Sequence, residues 1–202
     1  MKTISTIIAA AALLGPCIAS QAYEATFWGE DQGNGDGNPL ITSWPNASGA
    51  SSDFQSHLTG TGTETFEEFA NGQTGPYAIN FPGAGTATLS GGDASIVQDP
   101  GSESVGRFNT TPGGSKFLEI DQNFTISFSA PVAAFGFFAT DVGDFGGTLT
   151  LTFTDGTTKT VTVPAISSPL GGSVEFFGYI DTDDPFTKVT FGDTETTLTL
   201  TL

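Results

Sequence analysis

The chain is 202 residues long, enough for one domain with a sizeable core. Five Lys and Arg stand against 22 Asp and Glu, a formal charge of −17 that repels phosphate backbones and anionic lipid and so excludes nucleic acid and membrane surfaces as partners. Charged residues are only 13% of the chain, and 27 Gly and 18 Phe beside abundant Thr exclude a helical bundle and a disordered polyelectrolyte, leaving an acidic, mostly-β domain.

The first segment reads as an address. Lys2 is a lone cation, residues 7–14 form an apolar run, and residues 19–22 (ASQA) close it with small residues. That order is the pattern of a secretory signal peptide cleaved after Ala22, and the apolar run is well short of the roughly 20 residues a membrane span needs. Leu14-Gly15-Pro16-Cys17 offers lipoprotein processing at Cys17 as the alternative, but a proline directly before the cysteine fits it poorly. Residues 1–22 are thus expected to be a leader and residues 23–202 a single secreted domain. That domain has no cysteine, hence no disulfide, no thiolate nucleophile and no thiolate metal ligand.

In chain order, residues 25–28, 64–69, 87–89 and 94–97 read as strands between polar loops, with a short helical turn within 51–58. From Phe117 onward the alternation is clearer. Residues 124–128 (FTISF), 148–154 (TLTLTFT) and 158–163 (TKTVTV) each put apolar residues on one face and Thr on the other. Asp155-Gly156 between the last two is a hairpin signal that asks for positive φ at both residues. Residues 134–139 and 174–180 are denser in aromatics and read as central strands, with 188–191 and 197–202 completing the set. Short strands at this spacing predict a two-sheet antiparallel sandwich of jelly-roll type.

Nucleophilic catalysis is poorly supplied. The one histidine, His57, lies in a polar stretch, and no G-x-S-x-G elbow accompanies it. Carboxylates are the abundant functional group. Two clusters, Asp141/Asp144 and Asp181–Asp184, are separated by three strands and so fall at opposite ends of the sandwich, too far apart to share one sugar bond. Asp193 and Glu195 return to the end that holds Asp141 and Asp144. Calcium takes six to eight oxygens from loops in which glycine permits sharp turns. Glu30, Asp31, Asp36, Asp141, Asp144 and Asp193 are its candidate ligands, although the spacing is not that of an EF-hand. The other reading of residues 30–38 is a Gly/Asn-rich loop kept soluble by charge, and of 181–184 a turn with Asx capping. Sugar contact on a β-sandwich needs exposed aromatic platforms beside amide and carboxylate hydrogen-bonders, for which Trp44, Trp28 and Tyr179 are the candidates. Core burial competes most strongly for Trp28.

Residues 135–147 (FGFFATDVGDFGG), followed by LTLTFTDGTTKTVTVP and GGSVEFFGYIDTDDPFTKVTFG, resemble the ectodomain of bacterial PEP-CTERM proteins. The resemblance covers residues 117–192. It implies an exported β-sandwich of a Gram-negative, exopolysaccharide-making bacterium and carries no shared catalytic residues. The VPEP motif, hydrophobic span and arginine cluster of that family do not follow Phe191 in this sequence, so sorting by such a tail is not carried over.

Together these features describe a secreted, non-catalytic matrix protein that contacts extracellular polysaccharide, with calcium as a structural cofactor. Two alternatives stand beside it. One is a polysaccharide hydrolase or lyase using Asp141, Asp144, Asp193 and Glu195. The other is a structural surface or filament subunit whose open edge is residues 197–202.

Overall fold

The computed structural model describes residues 2–11, 22–101, 103–120, 123–140, 147–164 and 171–193. At Lys2, Thr3, Ala10, Ala11, Gly147 and Asp193 only the backbone is described. Cys17, Asp141, Asp144, Glu195 and residues 197–202 lie outside this set.

Of the described residues 52% are strand and 9% helical, an all-β fold, and the paired strands among them are antiparallel. In chain order the elements are β1 (Lys2–Ala11), β2 (Glu24–Asp31), α1 (Pro45–Ser56), β3 (Thr61–Glu64), β4 (Tyr77–Phe81), β5 (Gly85–Gly91), β6 (Ser95–Gln98), β7 (Lys116–Ile120), β8 (Phe124–Thr140), β9 (Gly147–Phe153), β10 (Thr158–Val163), β11 (Val174–Asp181) and β12 (Phe186–Asp193).

The two strands expected at 124–128 and 134–139 are one, the 17-residue β8, and it organises the fold. Its first half pairs with β12 on one side and β5 on the other; from Val132 onward it pairs with β1 and β11. The changeover falls where the β12 register jumps from Val132 to Ser127. Pro131 sits in that gap, where a residue without an N–H removes no ladder bond. One arm of the sheet is therefore β10-β9-β12-β8-β5-β4, and the other β2-β11-β8-β1-β7-β6 with β3 also on β1.

Apolar side chains from both arms form one cluster, including Ile7, Phe135, Phe137, Phe177 and Tyr179 from the second arm and Leu89, Ile126, Leu149, Leu151, Val189 and Phe191 from the first. Phe128 meets Phe135 edge-on at 6.2 Å and Phe191 meets Phe137 edge-on at 6.1 Å, so β8 faces itself across the core. The outer face of the second arm carries its own cluster, Ile8, Phe27, Ala134, Val174, Phe176 and Ile180, under α1.

Residues 2–11 form β1 in the middle of the second arm, with Ile4, Ile7, Ile8 and Ala9 buried. The β-branched run that makes them apolar also makes them a good strand. Three local expectations change. The strand at 64–69 is replaced by β3, which ends at Glu64 and gives way to a turn in which Phe66 has φ 63°. The helical turn is a 12-residue helix beginning on Pro45, a residue pre-set for the first helical position. In the 155–156 hairpin only Gly156 has positive φ, at 85°, while Asp155 Oδ1 accepts from the N–H and hydroxyl of Thr157. The turn therefore needs one left-handed residue, not two.

Candidate functional site

Helix α1 is docked on the second arm by a shape match. Its buried residues Ala47, Ser51 and Phe54 recur at helical spacing, and the Phe54 ring drops onto two glycines that are register partners, Gly136 of β8 and Gly178 of β11. A methyl group at Gly178 would lie 2.6 Å from the Phe54 ring, and one at Gly136 3.2 Å from it. Gly29 likewise lets α1 approach β2, since a Cβ there would meet the Asn46 carbonyl at 2.3 Å.

The start of α1 has no capping side chain of its own. Asp31, at the end of β2, supplies it: one carboxylate oxygen accepts from the Asn46 N–H at 3.3 Å and the other from the Ala47 N–H at 2.9 Å. A carboxylate is well placed at a helix N-terminus, where unsatisfied N–H groups and the dipole both favour negative charge. Asn46 Nδ2 in turn donates to the Glu30 carbonyl.

This docking holds Trp44, the residue before the helix, half-buried against Phe108 at 6.1 Å. Beside it opens a cleft of about 350 Å³ between α1 and the outer face of the second arm. Trp44 and Phe138 are its aromatic surfaces. Ser48, Ser52 and Gln55 line it from α1, Thr63 and Thr65 from β3 and the turn behind it, and Thr110 and Thr111 from the loop before β7. Thr6 and Ile8 of β1 complete it. Every described residue lining this cleft is uncharged. Thr6 Oγ1 and Thr111 Oγ1 are hydrogen-bonded at 2.8 Å, the Ser5 and Thr110 hydroxyls are bonded to each other, and Thr111 donates to the Ser5 carbonyl at 3.1 Å. The 110–111 loop is thereby tied to β1.

The other sequence candidates are dispersed. Trp28 is 40% exposed on the edge strand β2 and donates its indole N–H to Glu175. Tyr179 is 1% exposed: its ring is part of the core, its hydroxyl donates to Asp181 at 3.0 Å, and it cannot serve as a ligand platform. Its place in β11 points it into the core shared by the two arms. Asp36 lies in an exposed loop beside Gly171, and Asp31 serves the helix. Among the described residues no three His, Cys, Asp or Glu side chains are grouped to hold a metal ion. Asp181 Oδ1 accepts from the N–H groups of Asp183 and Asp184, so this cluster is a capped turn. It lies at the far end of β11 from Val174, which pairs with Thr140, the residue before Asp141. His57 closes α1, stacks on Tyr23 at 5.1 Å and lies 3.6 Å from Asp53.

Sequence reasoning missed Phe138 and the hydroxyl residues of the cleft, which come from five separate segments. It also missed Glu175, whose signal was a lone acid inside the apolar run VEFFGYI. No known family, curated relative or solved structure matches the chain. No helix among the described residues is long and apolar enough to cross a membrane.

Proposed function

We propose that the chain is an exported, non-catalytic matrix protein that holds a neutral polysaccharide in the Trp44 cleft. The observation that carries this reading is the lining: two aromatic faces, several hydroxyls and a carboxamide, with no charge on any described lining residue. Pyranose rings present C–H faces that stack on aromatic rings and hydroxyls that exchange hydrogen bonds with Ser, Thr and Gln. The formal charge of −17 selects further, because it repels uronate or sulfated chains at long range. Neutral glucans, mannans or galactans are the substrate class this combination favours.

The test is retention of the full chain on neutral and on uronate-rich polysaccharide matrices, with Trp44→Ala and Trp44→Phe beside it. Expected is retention on a neutral matrix, weakened at least tenfold by Trp44→Ala and largely kept by Trp44→Phe, which preserves an aromatic face. Equal retention of all three proteins, or preference for the anionic matrix, would reject the cleft as the binding site.

A further inference from the structure

We propose that residues 2–11 hold a strand position that the chain's own C-terminal segment, residues 194–202, takes over once the leader is removed. This rests on the export reading above. β1 is paired along both edges: with β8 from Thr3↔Thr140 to Ala11↔Val132, with β7 over Lys2–Ile4 opposite residues 118–120, and with β3 over residues 7–10. Cleavage after Ala22 removes that strand whole. It would open a slot one strand wide in the middle of the second arm, stripping ladder bonds from β8, β7 and β3 and exposing the core beneath Ile4, Ile7 and Ala9. Buried backbone N–H and C=O groups are almost always paired, so a stable exported protein needs another strand there.

Direction, reach and pattern select the occupant. β12 runs antiparallel to β8 and ends at Asp193. Just before that end, Phe191 stacks on Phe124 and meets Phe137, whose register partner in β1 is Ile7. The chain thus leaves β12 toward the end of the sandwich where β1 begins, at Lys2↔Ile120, and would enter the slot running in the direction of β1. Packed sheets lie about 10 Å apart and an extended residue advances about 3.3 Å, so residues 194–196 span the layers and leave 197–202 for the slot. Those six residues read T-L-T-L-T-L. Leu198, Leu200 and Leu202 share one face, as Ile7 and Ala9 do in the main core, and the threonines share the face on which β1 presents Thr6 and Ile8 to the cleft. The leucines would refill the core.

The experiment expresses the chain with its own leader in a secreting host and compares the exported protein with the full chain kept in the cytosol. Intact mass reads the N-terminus, light scattering the oligomeric state and hydrogen exchange the tail. Amides of 197–202 should exchange about 100-fold or more slowly in the exported monomer than in the full chain, where β1 fills the slot. Leu200→Asp should abolish the folded exported protein but leave the full chain's melting temperature unchanged, while Thr199→Asp leaves both forms folded. Unprotected tail amides in the exported monomer, or an exported Leu200→Asp protein that melts with wild type, overturns the proposal. Protected amides in a dimer or larger species overturn it in favour of exchange between copies. An exported protein that retains residues 2–11 rejects cleavage after Ala22 alone, and cutting the full chain at an engineered protease site behind Ala22 still decides the strand exchange.

Discussion

Trp28 donates its indole N–H to Oε2 of Glu175 at 3.4 Å, across the ladder between β2 and β11. Glu175 is fully buried, its second oxygen Oε1 has no hydrogen-bond partner, and the residue directly opposite it on β2 is Glu30. Burial is the main reason its pKa is pushed up to about 8; the Trp28 N–H pulls the other way and the Glu30 charge adds to the rise.

That pairing predicts a pH slope. An unfolded glutamate releases its proton near pH 4.3, so between that pH and about 8 the folded protein keeps a proton that the unfolded chain has lost. Stability is therefore highest at the acid end of this window, falls as pH rises through it, and levels off above about pH 8. Glu64 and Asp99, also raised mainly by burial, tilt the profile the same way. Urea melts of wild type and Glu175→Gln at pH 5, 6.5 and 8 isolate the Glu175 part. The variant should lose much of the slope and be the more stable protein at pH 8. Parallel profiles would show that Glu175 is ionised in the fold.

The Phe54 socket makes a steric prediction. A methyl at Gly178 meets the ring at 2.6 Å, inside van der Waals contact, whereas one at Gly136 finds its nearest atoms at 3.0–3.2 Å. Overpacking a filled site costs about 1–3 kcal/mol, and each kcal/mol moves the melting temperature of a domain this size by roughly 2–4 °C. Gly178→Ala should fall in that range and Gly136→Ala below it. Phe54→Ala, which empties the socket, should cost about 3–5 kcal/mol. If Gly178→Ala melts with wild type, α1 is not held by this fit.

The parts of the fold that were legible in the sequence are those whose signal is local. Alternation and Asp155-Gly156 mark β9 and β10, and aromatic density marks β11 and the second half of β8. What was not legible depends on distant residues. Residues 2–11 satisfy a leader and a strand equally, because both ask for a short apolar run, and only the partners Phe137 and Leu118 make them β1. The long β8 is hidden because Pro131 reads as a break, yet here it sits at a register shift. The 12 residues of α1, rich in Ser, Ala and Gly, have almost no amphipathic contrast, and its face is set by one side chain, Phe54. Trp44 could be singled out from its polar surroundings. The cleft beside it could not, since Phe138, Thr63 and Thr111 reach it only through sheet pairing and loop closure.

Asp31 separates two roles for the acidic loop. As the capping group of α1 it accepts from the Asn46 and Ala47 N–H groups, and capping residues contribute about 0.5–2 kcal/mol. Asp31→Ala should destabilise by that amount in EDTA and in millimolar calcium alike, and Asp31→Asn should recover most of it. A stabilisation of wild type by calcium that disappears in Asp31→Ala would instead make it a metal ligand, because an ion bound only by the folded state raises stability by mass action.

Arg107 and Glu119 supply the last prediction. Arg107 Nη1 lies 3.0 Å from Glu119 Oε1, with the two side chains 17% and 8% exposed. Glu119 is the register partner of Thr3 on one side and Ser95 on the other, so the pair sits where β7 joins β1 to β6. Removing one member of a fully buried pair costs about 3–5 kcal/mol, of which this part-buried pair should show a share, whereas replacing both by neutral groups of similar volume is often close to neutral. Arg107→Met alone should therefore destabilise strongly, and Arg107→Met combined with Glu119→Gln should regain most of the loss. A double-mutant cycle in urea reads this as a coupling energy well above the 0–1 kcal/mol of an exposed pair. Additive losses in that cycle would mean that solvent reaches the pair and that the β7–β1 junction is held by its ladder and by Leu118 and Ile120 instead.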